Sequence, residues 1–241
     1  MAKRKLQQFA DMDRYKHVFH APYEVIKDND FEMKGKWSSF FGNDNPIIAE
    51  LGCGKGEYTV GLSKLYPQKN FIGVDIKGAR MWRGATTVEE EGIKNAAFLR
   101  SRIDFITKLF AENELEEIWI TFPDPQREKR RKRLTSPMFL NRYRQILKKG
   151  GVINLKTDSR LMYHYTREVV KANNMEILVD TDDLYNSGID DEILSIKTFY
   201  EQMFLKEGKA INYLKFKLPD TEISDTPLSE PEIKALTNGI L

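Results

Sequence analysis

The chain has one cysteine, Cys53, and three histidines in its 241 residues. A single thiol excludes an internal disulfide framework and a multi-cysteine zinc site. His17, His20 and His164 are too scattered along the chain to suggest a metal centre. Long apolar runs are missing too: none approaches the roughly 20 residues needed to span a bilayer. The opening Met-Ala-Lys-Arg-Lys is not followed by the apolar core of a signal peptide. These absences make the cytoplasm the expected compartment, with neither a membrane nor a metal involved. Net charge is also scarce, since 38 basic and 36 acidic residues nearly cancel. Any electrostatic attraction for a partner must therefore come from where charges are placed.

What is present is a 41% hydrophobic composition, enough to bury the core of one α/β domain with an extension. Residues 1–40 alternate polar, basic and aromatic character without a long periodic segment and read as an N-terminal extension. From Pro46 on, apolar runs alternate with helix-like stretches. The runs at 47–51, 71–75, 96–99, 118–122 and 152–156 read as strands, with helices expected near 57–66, 77–91, 104–111, 136–148 and 160–173. Such a βαβ series implies a mostly parallel, doubly wound sheet flanked by helices, with its ligand crevice at the carboxyl ends of the strands. Two further strands are expected at 175–179 and 211–218, separated by a polar insert. The main domain then covers 41–219. Residues 220–241, with five acids, one lysine and two prolines, read as an acidic, mobile tail.

The first expected strand ends in Ile-Ala-Glu-Leu-Gly-Cys-Gly-Lys-Gly, residues 48–56. Gly52, Gly54 and Gly56 let the backbone turn sharply and admit a ligand close to its N–H groups. A dinucleotide fingerprint would place its third glycine at position 57, and Glu57 stands there instead, where it would repel a phosphate. The spacing resembles the first motif of class I S-adenosylmethionine-dependent methyltransferases, whose cofactor is cationic at one end, and Glu50 suits that charge. Asp75 ends the second strand, where an acid accepts hydrogen bonds from ribose hydroxyls; its alternative role is to cap the next helix. After the third strand, Asp104 is the chemically sensible partner for adenine, while Arg102 occupies the better-aligned position. Both stay open, as does a helix-cap role for Asp104.

Thr-Phe-Pro-Asp-Pro, residues 121–125, follows the fourth strand. Prolines on both sides of Asp124 are expected to keep Phe122 and Asp124 out of the α region, so that a stiff, extended loop presents one carboxylate. Directly after it, Arg127-Glu128-Lys129-Arg130-Arg131-Lys132-Arg133 packs six cations into seven residues, a pattern suited to nucleic-acid phosphates. Lys3, Arg4, Lys5, Arg142, Arg144, Lys148 and Lys149 are candidates to extend that patch. Asp158 ends the fifth strand and either faces the crevice or caps a helix. Thr198 and Glu201 have capping-box spacing.

Taken in order, Glu-Leu-Gly-x-Gly-x-Gly, Gly-Val-Asp, Phe-Pro-Asp-Pro with trailing cations, Leu-Lys-Thr-Asp and Thr-x-x-Glu resemble the bacterial tRNA (guanine-N7-)-methyltransferase family over roughly residues 20–218. The resemblance implies a Rossmann-like class I methyltransferase fold, S-adenosylmethionine as cofactor and tRNA as partner, with the variable-loop guanosine as target. It assigns Glu50, Asp75, the position at or near Arg102, and Asp124 to the cofactor pocket, with Asp124 also catalytic. It assigns substrate contacts to a basic residue after Asp124, to Asp158, and to Thr198, Phe199, Tyr200 and Glu201. The family usually continues Pro-Asp-Pro with Trp and then a lysine two residues on. Here Gln126 replaces the Trp, Glu128 falls in the lysine's register, and Lys129 is the nearest lysine. Arg127, Arg130, Arg131 and Arg133 are the expected phosphate contacts.

Overall fold

The computed structural model describes residues 2–189 and 192–238, without the side chains of residues 2–6 and 195. Its centre is a sheet of eight strands in the order β1-β4-β3-β2-β5-β6-β8-β7. The strands are β1 (Val18–His20), β2 (Ile47–Leu51), β3 (Asn70–Asp75), β4 (Ala96–Arg100), β5 (Leu115–Thr121), β6 (Leu147–Thr157), β7 (Ile177–Thr181) and β8 (Asn212–Lys217). The first six in spatial order are parallel; β8 pairs antiparallel with β6 and with β7. Every residue of β2 and β3 is buried. Strands covered on both faces need continuous apolar runs, which is why they were readable without alternation. Chain order reverses at β2, with β3 on one side and β5 on the other, and the crevice opens there at the carboxyl ends.

Helices α1 (Ala2–Met12), α2 (Tyr23–Ile26), α3 (Trp37–Phe41), α4 (Glu57–Leu65), α5 (Gly78–Glu90), α6 (Ile106–Leu109), α7 (Pro137–Ile146), α8 (Arg160–Ala172), α9 (Phe199–Lys206) and α10 (Glu230–Thr237) connect and cover the strands. The stretch expected as a helix over 104–111 is instead a 3₁₀ turn, Ile103–Phe105, followed by the short α6.

Both ends of the chain differ from expectation. Residues 1–40 contain an 11-residue helix, α1, and an edge strand, β1, paired with β4. Asp11 on α1 accepts the indole N–H of Trp82 at 3.0 Å, and Phe19, Trp37 and Phe40 pack edge to face. Leu6, Phe9 and Met12 do recur at helical spacing, but the run is short and mostly polar, and β1 is only three residues long.

The acidic tail is likewise built in. α10 packs on α8, Ile223 and Ile233 are buried, and Ser229 with Glu232 forms a capping box at the start of α10. Two buried isoleucines contribute about 1.5–3 kcal/mol each. Ion pairs to the body of the domain add to this, and composition shows neither term.

Candidate functional site

Two hollows lie at the carboxyl ends of the strands, and they meet at Asp124. The first, about 530 Å³, is bounded by Gly52, Asp75, Ile76, Ser101, Arg102, Ile103, Asp104, Asp124 and Lys129 among others. The second, about 800 Å³, includes Lys77, Arg80, Phe122, Asp124, Arg127, Glu128, Asp158, Arg160, Tyr200, Phe204, Lys209 and Lys234 in its lining.

One side of the first hollow is framed by backbone. Gly52 (φ 78°) and Gly54 (φ 55°) turn the chain off β2, and a Cβ on Gly52 would meet nothing within 4 Å, so open space lies above the turn. Gly56 serves differently: a Cβ there would fall 2.4 Å from the Phe98 ring. Asp75 accepts the Gly54 N–H at 2.9 Å through Oδ2 and the Lys77 N–H at 2.7 Å through Oδ1. These bonds fix the carboxylate and leave further lone pairs for a ligand. Ile76, 53% exposed beside it, offers an apolar face. Asp104 lies between Lys132 (3.0 Å) and Arg102 (3.5 Å). Burial acts to raise its pKa, but the Lys132 hydrogen bond and the charges of Lys132, Arg102 and Arg142 outweigh this and hold the carboxyl below its ordinary value.

Glu50 is not on this wall. It is 3% exposed and accepts hydrogen bonds from Thr59 N (2.8 Å), Thr59 Oγ1 (2.6 Å) and Thr121 Oγ1 (2.8 Å). Burial pushes its pKa up to about 7 against the pull of those three bonds. The carboxylate ties α4 to the end of β5 beneath the glycine turn. Glu57 accepts the N–H of Phe199 at 3.0 Å, so the acid that stands where a dinucleotide site needs glycine links the starts of α4 and α9.

The Asp124 loop departs from the expected extended form at Phe122 and Gln126. Phe122 has φ 49° and Gln126 φ 46°. Both are left-handed conformations that are rare for such residues, and they cluster where function needs a fixed geometry. Proline after Phe122 biases it toward extended backbone, yet Phe122 is left-handed where its N–H donates to the Lys156 carbonyl at 2.8 Å. Asp124 accepts the Gln126 N–H at 3.0 Å through Oδ1; among the described residues nothing donates to Oδ2, and the side chain is exposed.

Asp158 faces the second hollow because the neighbouring Ser159 takes the capping position of α8, accepting from Met162 N. Burial raises the Asp158 pKa and Glu207 adds to this, against Lys209 and Arg127.

Several expected contacts are elsewhere. Arg133 has no exposed side-chain surface; it donates to the Pro125 carbonyl at 3.1 Å and forms a two-pronged pair with Glu230. Arg130 donates to Leu228 O (2.7 Å), Asp225 (2.9 Å) and Thr226 O (3.1 Å). Neither is available to phosphate, whereas Arg127, Lys129 and Arg131 are exposed. Lys129 borders the first hollow, not the second, where Glu128 lies. Thr198 and Glu201 form a capping box on α9. Glu201, fully buried, pairs with the buried Lys156 at 2.8 Å and accepts from Tyr185 at 2.5 Å. Burial depresses the Lys156 pKa despite Glu201. Phe199 lies under Lys55 Nζ at 3.6 Å, so of that quartet only Tyr200 reaches the hollow. Arg142 lies over Phe139. Arg144, Lys148 and Lys149 border a separate cavity at the amino ends of β5 and β6. The side chains of Lys3, Arg4 and Lys5 fall outside the described residues.

Lys77, Arg80, Arg160, Lys209 and Lys234 line the second hollow without having been singled out in the sequence. A signal for three of them was there. Lys77 and Arg80 sit at the start of α5 and Arg160 at the start of α8, and neither helix has an acid in its first turn. The helix dipole disfavours cations there, while the same ends attract anions.

A family model described as "Putative methyltransferase" matches residues 44–214. The chain is 53% identical over 235 residues to the tRNA (guanine-N(7)-)-methyltransferase of Bacteroides thetaiotaomicron, covering 97% of this chain and 92% of that protein. The chain belongs to the tRNA (guanine-N7-)-methyltransferase family. A protein of the same name from Porphyromonas gingivalis is 49% identical over 227 residues, 92% of each chain. Among solved structures, the 16S rRNA methyltransferase KamB superposes with a TM-score of 0.59 at 11% identity, over 77% of this chain and 93% of the other. That likeness establishes the fold, the mostly parallel sheet of class I methyltransferases. Among the described residues no cluster of metal-binding side chains occurs, and no helix is long and apolar enough to cross a membrane.

Proposed function

We propose that the protein transfers a methyl group from S-adenosylmethionine to N7 of a guanosine in tRNA, acting in the cytoplasm. The family resemblance points to the variable-loop guanosine. One observation carries the reading: a single carboxylate, Asp124, walls both hollows, as a residue between donor and acceptor must.

The first hollow suits the donor. Asp75 faces it for ribose hydroxyls, Ile76 and Ile103 offer apolar surface for adenine, and the open backbone at Gly52 admits the amino-acid end. Bound there, S-adenosylmethionine supplies an electrophilic methyl. Glu57, engaged with Phe199, argues against a pyrophosphate at α4. Glu50 supports the turn from below.

The second hollow suits a base with its phosphates. Guanine N7 carries an in-plane lone pair and is unprotonated at neutral pH, so attack requires no general base. The protein must align the base and respond to charge arriving on the purine. In this reading Asp124 accepts from guanine N1–H and the exocyclic amino group, which orients the ring and offsets its positive charge after transfer. Asp158 shares the hollow, and Tyr200 and Phe204 provide rings beside it. Because N7 lies on the major-groove edge, the nucleotide must swing toward the pocket. In this reading Arg80 and Arg160, at two helix starts in the lining, hold the flanking phosphates. Incubating the protein with methyl-labelled donor and unmodified tRNA, then digesting to nucleosides, tests the reading. Label in 7-methylguanosine is expected; label in another nucleoside refutes it.

A further inference from the structure

We propose that α10 is a wall of the RNA site and that Lys234 on it holds a phosphate beside the target nucleotide. This rests on the reading that the hollow in front of Asp124 takes RNA.

The helix is anchored, not fraying. Arg133 reaches from the Pro125 carbonyl to Glu230, and Arg130 grips Leu228, Asp225 and Thr226. Both guanidinium groups lie against the Tyr165 ring, at 4.5 and 5.0 Å, and Ile233 is fully buried beneath the helix. Arg133 therefore ties the loop that carries Asp124 to α10, and Arg130 holds the segment leading into that helix.

Charge on α10 is sorted by these contacts. Glu230 turns to Arg133, and Glu232 folds back on Ser229 N and Oγ. Lys234 is exposed, makes no ion pair among the described residues, and lines the hollow with Thr237 and Asn238. Arg160 donates to the Thr237 carbonyl at 3.1 Å, which joins α10 to the cationic start of α8. With both acids of α10 engaged elsewhere, the helix presents a cation to the hollow. A polyanion passing Asp124 and Asp158 meets it along with Arg80 and Arg127, which share the lining.

The test is tRNA binding across a salt series for the full-length wild type, Lys234→Gln, Glu230→Gln and, as a control at the far end of the sheet, Lys148→Gln. Lys234→Gln is expected to weaken binding about 3- to 10-fold and to reduce the slope of log K against log salt by about 0.7–0.9. Its melting temperature and its affinity for S-adenosylhomocysteine should stay unchanged. Glu230→Gln should weaken binding at least as much while also lowering the melting temperature, and Lys148→Gln should alter neither. A wild-type slope in Lys234→Gln, or an equal loss in Lys148→Gln, overturns the proposal while leaving the functional reading standing. A wild-type protein that binds no tRNA overturns both.

Discussion

The hollow behind Asp124 is framed by strand ends and turns of residues 52–104 together with side chains of the 124–139 segment, whereas the hollow in front of it is framed by long side chains from α5, the 122–128 loop, α8, α9 and α10. On its strand-end side the first seat is main chain held by short hydrogen bonds to Asp75, and Lys132 reaches it from the cationic run by pairing with Asp104. The second depends on parts distant in sequence being brought together by ion pairs: Lys156 with Glu201 for α9, and Arg130 and Arg133 with the C-terminal segment for α10. Damage to the two seats should therefore be distinguishable, with donor affinity surviving changes that dismantle the acceptor side.

The largest effect is expected at the residue common to both seats. Asp124→Ala should slow methyl transfer on the order of 100- to 1,000-fold with tRNA affinity retained; near-normal turnover would remove Asp124 from the reaction. Next comes Glu201→Ala, which strands the buried Lys156 and should cost about 3–5 kcal/mol of stability, read as a lower melting temperature. If α9 serves the acceptor side only, donor affinity below the transition should be unchanged.

The Glu50 comparison is finer. Its folded-state pKa, about 7, lies above its ordinary 4.5, so the native chain holds the proton more tightly than the unfolded one. Its contribution is most favourable below pH 4.5 and is lost as pH rises to about 7, amounting to about 3 kcal/mol. The melting temperature of Glu50→Gln should therefore gain on the wild type between pH 5 and pH 7.5; parallel curves would contradict the assigned burial cost. The smallest contrast lies within the cationic run. Arg127→Gln should reduce the salt slope of tRNA binding by about 0.7–0.9. Arg130→Gln should lower the melting temperature and weaken binding through loss of the α10 wall.

The same contrast explains what was legible in the sequence. Gly52, Gly54 and Asp75 are local: a strand end, a turn and the next strand end, each with a fixed offset. The Pro-Asp-Pro loop was legible for the same reason, although its left-handed Phe122 was not, because the carbonyl its N–H meets, that of Lys156, is on another strand. Arg127 and Arg133 look alike in the sequence. Only the position of Glu230, nearly a hundred residues on, makes one a surface cation and the other a buried anchor. Thr198 and Glu201 satisfied two readings at once, and the buried Lys156 decided for the capping box. Lys234 was hidden by an acidic segment, of which the two acids on α10 itself, Glu230 and Glu232, are occupied.

The central claim is that the ends of β2 and β3 seat the methyl donor next to Asp124. Titrating S-adenosylhomocysteine into the wild type and Asp75→Asn by calorimetry tests it most directly. One site on the wild type, weakened about tenfold or more by Asp75→Asn through loss of a charge-assisted hydrogen bond, is the predicted result. No heat from the wild type, or equal affinity in both, would contradict it.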